Sequence, residues 1–197
     1  MTEITSKHVS VAVFCGSKPG TDPRHMKTAE AFGRGLAERG MRMVYGGGRV
    51  GLMGEVARAT RDAGGKVTGV IPEFLMKLEV GDTANELEIT DSMHSRKQRM
   101  FELSDAFVSL AGGLGTLDET VEIITWKQLR LHAKPIIVLS EDGFWNGLPE
   151  MVQGFVVSGF AGEAAPDLFQ VVPRLEDVFA ILETVQPSAA ESSGDRL

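Results

Sequence analysis

The sequence predicts an α/β fold: a single-domain, doubly wound, Rossmann-like sheet, mostly parallel, of about seven strands with helices on both faces. Three observations predict it. Short β-branched apolar runs alternate with longer runs of helical period from residue 9 to residue 185. Several of the short runs are continuously apolar, as in strands buried on both faces. Three of them end in glycine-bearing loops, where an open α/β sheet gathers its ligands.

Residues 9–14 (VSVAVF) read as the first strand and 25–39 as the first helix. Residues 41–45 (MRMVY) and 66–71 (KVTGVI) are strands flanking a helix over 52–63. A long connection carrying Glu79 leads to a fourth strand over 86–90 (ELEIT). A helix over 93–104 is followed by the apolar strand 106–110 (AFVSL), and a helix over 117–131 by the strand 135–139 (PIIVL). A helix over 145–158, a strand over 168–172 (LFQVV) and a helix over 175–185 complete the alternation. From Gln186 the chain turns small and polar. This divides it into a domain over 1–186 and a tail, 187–197, expected to be disordered.

Composition bounds the function. The 197 residues suit one domain with a sizeable core, and 43% hydrophobic with 24% charged residues is ordinary for a soluble protein. A formal net charge of −7 argues against a broad nucleic-acid footprint, though not against a local basic pocket. Cys15 is the only cysteine, so no intrachain disulfide forms and a reducing compartment fits. No apolar run approaches spanning length, and the polar start, Met1 to Lys7, does not resemble a signal peptide. The expected location is cytoplasmic, with no membrane partner.

The stretch from Ser109 to Glu119 carries the most chemistry. An apolar strand stops at Gly112-Gly113-Leu114-Gly115-Thr116, and a helix follows at once. Free backbone N–H groups and the helix dipole favour an anion there. Thr116 adds a hydroxyl, and Glu119 adds a carboxylate one turn on. The same residues have a structural reading, since Thr116-x-x-Glu119 matches a capping box.

Two other glycine loops follow strands: Cys15-Gly16-Ser17-Lys18-Pro19-Gly20, and Gly46-Gly47-Gly48-Arg49-Val50-Gly51. Gly46-x-Gly48-x-x-Gly51 has dinucleotide-fingerprint spacing. It follows the second strand, and Ile71-Pro72 offers no acid for a ribose, so NAD is not favoured. These glycines could equally let a helix pack close to the sheet.

On a helix, Met93, Arg96, Met100 and Leu103 share one apolar stripe. Arg96 therefore faces inward and needs an anionic partner: a structural carboxylate, Glu119, or a ligand phosphate. Lys97 and Arg99 point elsewhere, as ordinary solvated charges do. Glu122, on a neighbouring face, reads as a surface group, and Glu79 as a loop carboxylate. The sequence has no GxxxxGK[ST] loop and no GxSxG elbow. His8, His25, His94 and His132 are isolated, so no metal ligand set is visible, and no cofactor is expected.

As a set, these residues resemble the Lonely Guy family of cytokinin riboside 5′-monophosphate phosphoribohydrolases. The family's PGGxGTxxE is similar to Ala111 through Glu119, and its Met-His-x-Arg-Lys to Met93 through Lys97. Val13 to Ser17, Tyr45 to Gly48, Gly51 to Gly54, and Ile123 to Leu129 also match, in the family's order. Ala111 stands where the family has proline, which removes rigidity but no functional group.

The resemblance implies hydrolysis of the N-glycosidic bond of an adenine-type nucleoside 5′-monophosphate, such as AMP or an N6-prenyl-AMP, to free base and ribose 5-phosphate. It implies Glu119 and Arg96 as catalytic residues. Gly112, Gly113, Gly115 and Thr116 would hold phosphate, with Glu79, Lys97, Gly16, Ser17, Gly47 and Gly48 also at the substrate. It implies a homodimer with sites near the subunit interface. The residues do not choose between plain and prenylated adenine. The alternative on the same fold is a non-catalytic nucleotide-binding or carrier protein. Relatives also carry a lysine decarboxylase label, which nothing in these residues supports.

Overall fold

The structure, a computed structural model, describes residues 8–79 and 84–188, with the backbone alone for 77–79. It contains a seven-stranded sheet in the order β4-β3-β2-β1-β5-β6-β7. The strands are β1 (Ser10–Phe14), β2 (Arg42–Tyr45), β3 (Val67–Pro72), β4 (Glu86–Thr90), β5 (Ala106–Ser109), β6 (Ile136–Leu139) and β7 (Gln170–Val172). Every pairing is parallel, so the expected mostly parallel sheet is wholly so. The strand order reverses between β1 and β5, which makes the crevice beyond their carboxyl ends the switch point of the fold.

The helices are α1 (Pro23–Glu38), α2 (Gly51–Asp62), α3 (Glu73–Glu79), α4 (Met93–Glu102), α5 (Leu114–Gln128), α6 (Gly147–Val157) and α7 (Leu175–Leu182). Successive strand residues face opposite sides, and both sides are covered. Val11, Val13, Met43, Tyr45 and Val108 pack with Phe32 and Leu36 of α1, Val56 of α2 and Phe179 of α7. Ala12, Phe14, Val44, Phe107 and Val138 pack with Met100 of α4, Ile123 of α5 and Leu148 of α6. That double burial is why the strand sequences are apolar without alternation. The edge strand β4 departs from it, with Leu87 and Ile89 exposed.

Two helices differ from the sequence reading. The connection after β3 contains α3, whose last residue is Glu79, so Glu79 ends a helix rather than sitting in a plain loop. Helix α5 begins at Leu114, not at residue 117, with Gly113 as its N-cap. Helix α4 is held at its start by a reciprocal Ser92–Ser95 capping box. Among the described residues, no helix is long and apolar enough to cross a membrane. The backbone N–H of Ser188 donates to Asp105 at 2.8 Å, and the tail beyond it lies outside the described residues.

Candidate active site

The three glycine loops are joined at the switch point. Leu110 N–H donates to Phe14 O at 2.9 Å and Gly16 N–H to Ala111 O at 3.0 Å, which ties the loop after β1 to the loop after β5. Met53 N–H donates to Gly16 O at 3.1 Å, which brings in the N-terminal turn of α2. The Trp145 indole N–H caps Leu110 O at 3.0 Å. The strand ends are thus a connected floor rather than separate loops.

The first helical bond of α5 runs from Leu117 N–H to Gly113 O, at 3.0 Å. The N–H groups of Leu114, Gly115 and Thr116 precede it, so the helix itself does not satisfy them. Gly113, Leu114 and Gly115 are exposed, and a Cβ built on either glycine meets nothing within 4 Å. The positive end of α5 therefore faces open space. Gly112 has a different reason to be glycine: a Cβ there would lie 2.1 Å from Thr116 Oγ1. The Thr116 side chain occupies that volume and is itself buried.

Thr116 is not an N-cap, because α5 starts two residues before it. The capping-box alternative for Thr116 and Glu119 is therefore excluded. Glu119 instead points inward, 8% exposed, and its Oε1 accepts from Arg96 Nη2 at 3.2 Å. Arg96 lies on the buried stripe of α4 as the spacing predicts, 7% exposed, with Met100 beneath it. Its Nη1 meets Met93 Sδ at 3.7 Å, and its buried Nε has no hydrogen-bond partner among the described residues. The guanidinium lies over Gly46, where a Cβ would stand 1.8 Å from Nη2. Gly46 is thus the space that Arg96 fills.

Burial pushes the Glu119 carboxyl above its ordinary value, and the Arg96 charge only partly opposes this. The Cys15 thiol nearby is pushed far up by burial and by the Glu119 charge, so it stays neutral. Lys97 is not a free solvated charge. Its Nζ bonds Glu122 at 3.0 Å and Asp118 at 3.2 Å, linking α4 to α5 beside the pair. Burial alone would lower its pKa, but the bonds and charges of Glu122 and Asp118 outweigh burial and raise it. Arg99 likewise pairs, with Glu88 and Glu102.

The other expected site residues fall in three places. Gly16 is half-buried within the floor, and Ser17 is exposed beside it. Gly47 and Gly48 are buried; Gly47 has φ 77°, and a Cβ there would press to 3.0 Å from Ile71 Cβ. The backbone of Glu79 ends α3, and its side chain lies outside the described residues. Sequence reasoning missed a small, water-sized cavity beside Glu119, lined by Phe14, Phe101, Phe107 and Trp126, with Lys97 and Glu122 also on its wall. The spacing of these aromatics carries no sign that four elements bring them together.

Residues 53–182 match a family described as "Possible lysine decarboxylase". The chain is 45% identical over 183 residues to a probable cytokinin riboside 5′-monophosphate phosphoribohydrolase of Oryza sativa subsp. japonica, covering 92% of this chain and 81% of that protein. It is 40% identical over 192 residues to a cytokinin riboside 5′-monophosphate phosphoribohydrolase of Arabidopsis thaliana, covering 97% and 88%. The chain belongs to the Lonely Guy family. The Lonely Guy match spans both α4 and α5, so the Arg96–Glu119 pair lies within the shared region. Among solved structures, a molybdenum cofactor carrier protein from Chlamydomonas reinhardtii superposes with a TM-score of 0.67 at 23% identity, covering 90% of this chain and 96% of that one. At that identity the likeness extends to the fold.

Proposed function

We propose that this chain hydrolyses the N-glycosidic bond of adenine-type nucleoside 5′-monophosphates, releasing free base and ribose 5-phosphate. One observation carries the reading: a buried carboxylate, Glu119, meets a buried guanidinium with an unused donor, one turn from an open helix N-terminus. The relatives named above are phosphoribohydrolases, which supports it.

In the reaction, water oxygen bonds to the anomeric carbon as the bond to the base nitrogen breaks, and one proton of that water ends on the departing base nitrogen. Positive charge builds on the ribose during that exchange, as in other glycoside hydrolyses. Glu119 stabilises that charge or takes a proton from the water. Arg96 orients Glu119 through Nη2 and offers Nε to the substrate. The N–H groups of Gly113, Leu114, Gly115 and Thr116 hold the 5′-phosphate, with Gly112 making room for Thr116. Lys97, Gly16 and Ser17 border the substrate, and Glu79 completes the site. Gly47 and Gly48 shape the second loop from below. The protein acts as a cytoplasmic homodimer.

A decarboxylase that formed an imine would need a neutral, nucleophilic lysine. The lysine at this site has the opposite setting, because Glu122 and Asp118 hold Lys97 protonated. That contrast favours the hydrolase over the decarboxylase description.

Incubation with AMP and with isopentenyladenosine monophosphate, followed by chromatography of the released base, tests the reaction. Adenosine and isopentenyladenosine are expected to react at least about tenfold more slowly, because binding energy from the phosphate is lost. Equal rates with and without phosphate would remove the anion cradle from the mechanism.

The raised Glu119 carboxyl makes a pH prediction. Activity that needs the carboxylate falls as pH drops through its folded pKa, so the acidic limb of kcat/KM lies above about 4.3, the ordinary glutamate value. Stability runs the other way. The folded state holds this proton more tightly than the unfolded chain, so the Glu119 contribution declines as pH rises from the ordinary value through the raised one. Tm measured across that window should lose this decline in Glu119→Gln. An acidic limb at the ordinary value would show that Glu119 does not set it.

A further inference from the structure

We infer that Ser109 and Thr120 are positioning residues that fix the rotation of α5, and with it the direction of Glu119. Both hydroxyls are fully buried beneath α5, on the side of the sheet where Phe14, Phe107 and Ile123 pack. Thr120 Oγ1 lies 2.6 Å from Thr116 O and 2.7 Å from Ser109 Oγ. A hydroxyl has one proton. Thr120 must give its proton to the carbonyl, which can only accept. Ser109 is therefore the donor to Thr120, and the chain has one direction: Ser109 O–H to Thr120 O–H to Thr116 C=O.

The two ends of this chain belong to different elements. Ser109 is the last residue of β5, and Thr116 is in the first turn of α5. The backbone between them is the glycine loop, in which Gly112, Gly113 and Gly115 offer no side chain to join strand to helix. Across that loop, the hydroxyl chain is a directional tie between strand and helix. Apolar packing seats the helix on the sheet, and the hydroxyl chain adds a directional restraint to that packing.

What the tie positions is specific. Thr120 adjoins Glu119, whose carboxylate receives the 3.2 Å bond from Arg96. Thr116 carries one of the N–H groups of the anion cradle. A rotation of α5 by a few degrees moves the carboxylate and the cradle together relative to Arg96, which rides on α4. Ser109 and Thr120 reach neither substrate nor solvent, so they act through Glu119 and the cradle. The inference rests on the proposed hydrolase reading of that site.

Thr120→Val keeps the branched shape and removes the hydroxyl, Thr120→Ser keeps the hydroxyl, and Ser109→Ala removes the first link alone. With wild-type turnover of AMP or isopentenyladenosine monophosphate established first, Thr120→Val is expected to lower kcat about ten- to a hundredfold. KM should change less. The acidic limb of its pH profile should move to higher pH, because Glu119 loses part of its support from Arg96. Thr120→Ser should restore both kcat and the limb. Ser109→Ala should show the same changes in smaller measure, and it decides the matter if Thr120→Val does not fold. A lower Tm with wild-type kcat and an unmoved limb in Ser109→Ala or a folded Thr120→Val would overturn the inference. A wild-type protein without turnover would instead overturn the hydrolase reading.

Discussion

Glu119→Gln is expected to fold normally and to lose turnover by about a hundredfold or more, on the usual scale for acid–base and electrostatic groups. The fold survives because of what Glu119 does in the ground state. It caps nothing, and its bond is one accepted hydrogen bond from Arg96 Nη2, which a glutamine oxygen also accepts. The change also removes a buried negative charge, whose desolvation is the main cost at this position. Arg96 keeps a hydrogen-bond partner but loses its counter-charge, so Tm near neutral pH should fall while the fold stays intact. Only the ability to hold negative charge or take a proton disappears. Circular dichroism and Tm report the fold, and kcat on isopentenyladenosine monophosphate reports the chemistry. A folded Glu119→Gln enzyme with wild-type kcat would mean that another group is the catalyst.

The architecture was legible in the sequence for a physical reason. Strands covered on both faces are mostly apolar without alternation, and β1, β2, β3, β5 and β6 are such strands. The inward turn of Arg96 was legible for the same kind of reason, since Met100 one turn later fixes the buried stripe. Helix α3 was not, because its seven residues hold too few turns to show a period. The start of α5 was misplaced because glycine argues against helix. In the structure, Gly115 occupies the first turn, where the helix gives up little internal bonding and the backbone faces open space.

Partnership between elements was the least legible level. Lys97 and Asp118 are 21 residues apart, and a single sequence contains nothing that pairs them. The hydroxyls of Ser109 and Thr120 sit in otherwise apolar surroundings, and their meaning depends on the angle at which α5 crosses β5. Gly46 looked like part of a nucleotide fingerprint; its closest neighbour is the Arg96 guanidinium. In each case the residue type was visible, and its neighbour across the fold was not.

Arg96→Lys is expected to keep the fold and lose most of its activity, again by about a hundredfold or more. The choice of lysine matters. An apolar replacement would leave the Glu119 charge buried and unpaired, at a cost of about 3–5 kcal/mol, and any loss of activity would be confounded with unfolding. Lysine keeps the positive charge but gives up the planar fork. In the wild type that fork does three things at once. Nη2 holds Glu119, Nη1 meets Met93 Sδ, and the hydrogen of the buried Nε is unused among the described residues. A buried unused donor costs about 1–3 kcal/mol, which a residue with only a structural role would shed by substitution. The arrangement makes sense when a ligand oxygen completes it. Lysine has a single nitrogen and cannot serve Glu119 and the ligand from the same two positions. Gly46→Ala provides the matching test without touching any charge, because its Cβ would take the space of the guanidinium and push it aside. Both variants should lose kcat while the oxygen of Glu119 remains in place. If Arg96→Lys lowers Tm but keeps wild-type kcat, Arg96 is a structural partner of Glu119, and the catalytic assignment of the fork fails.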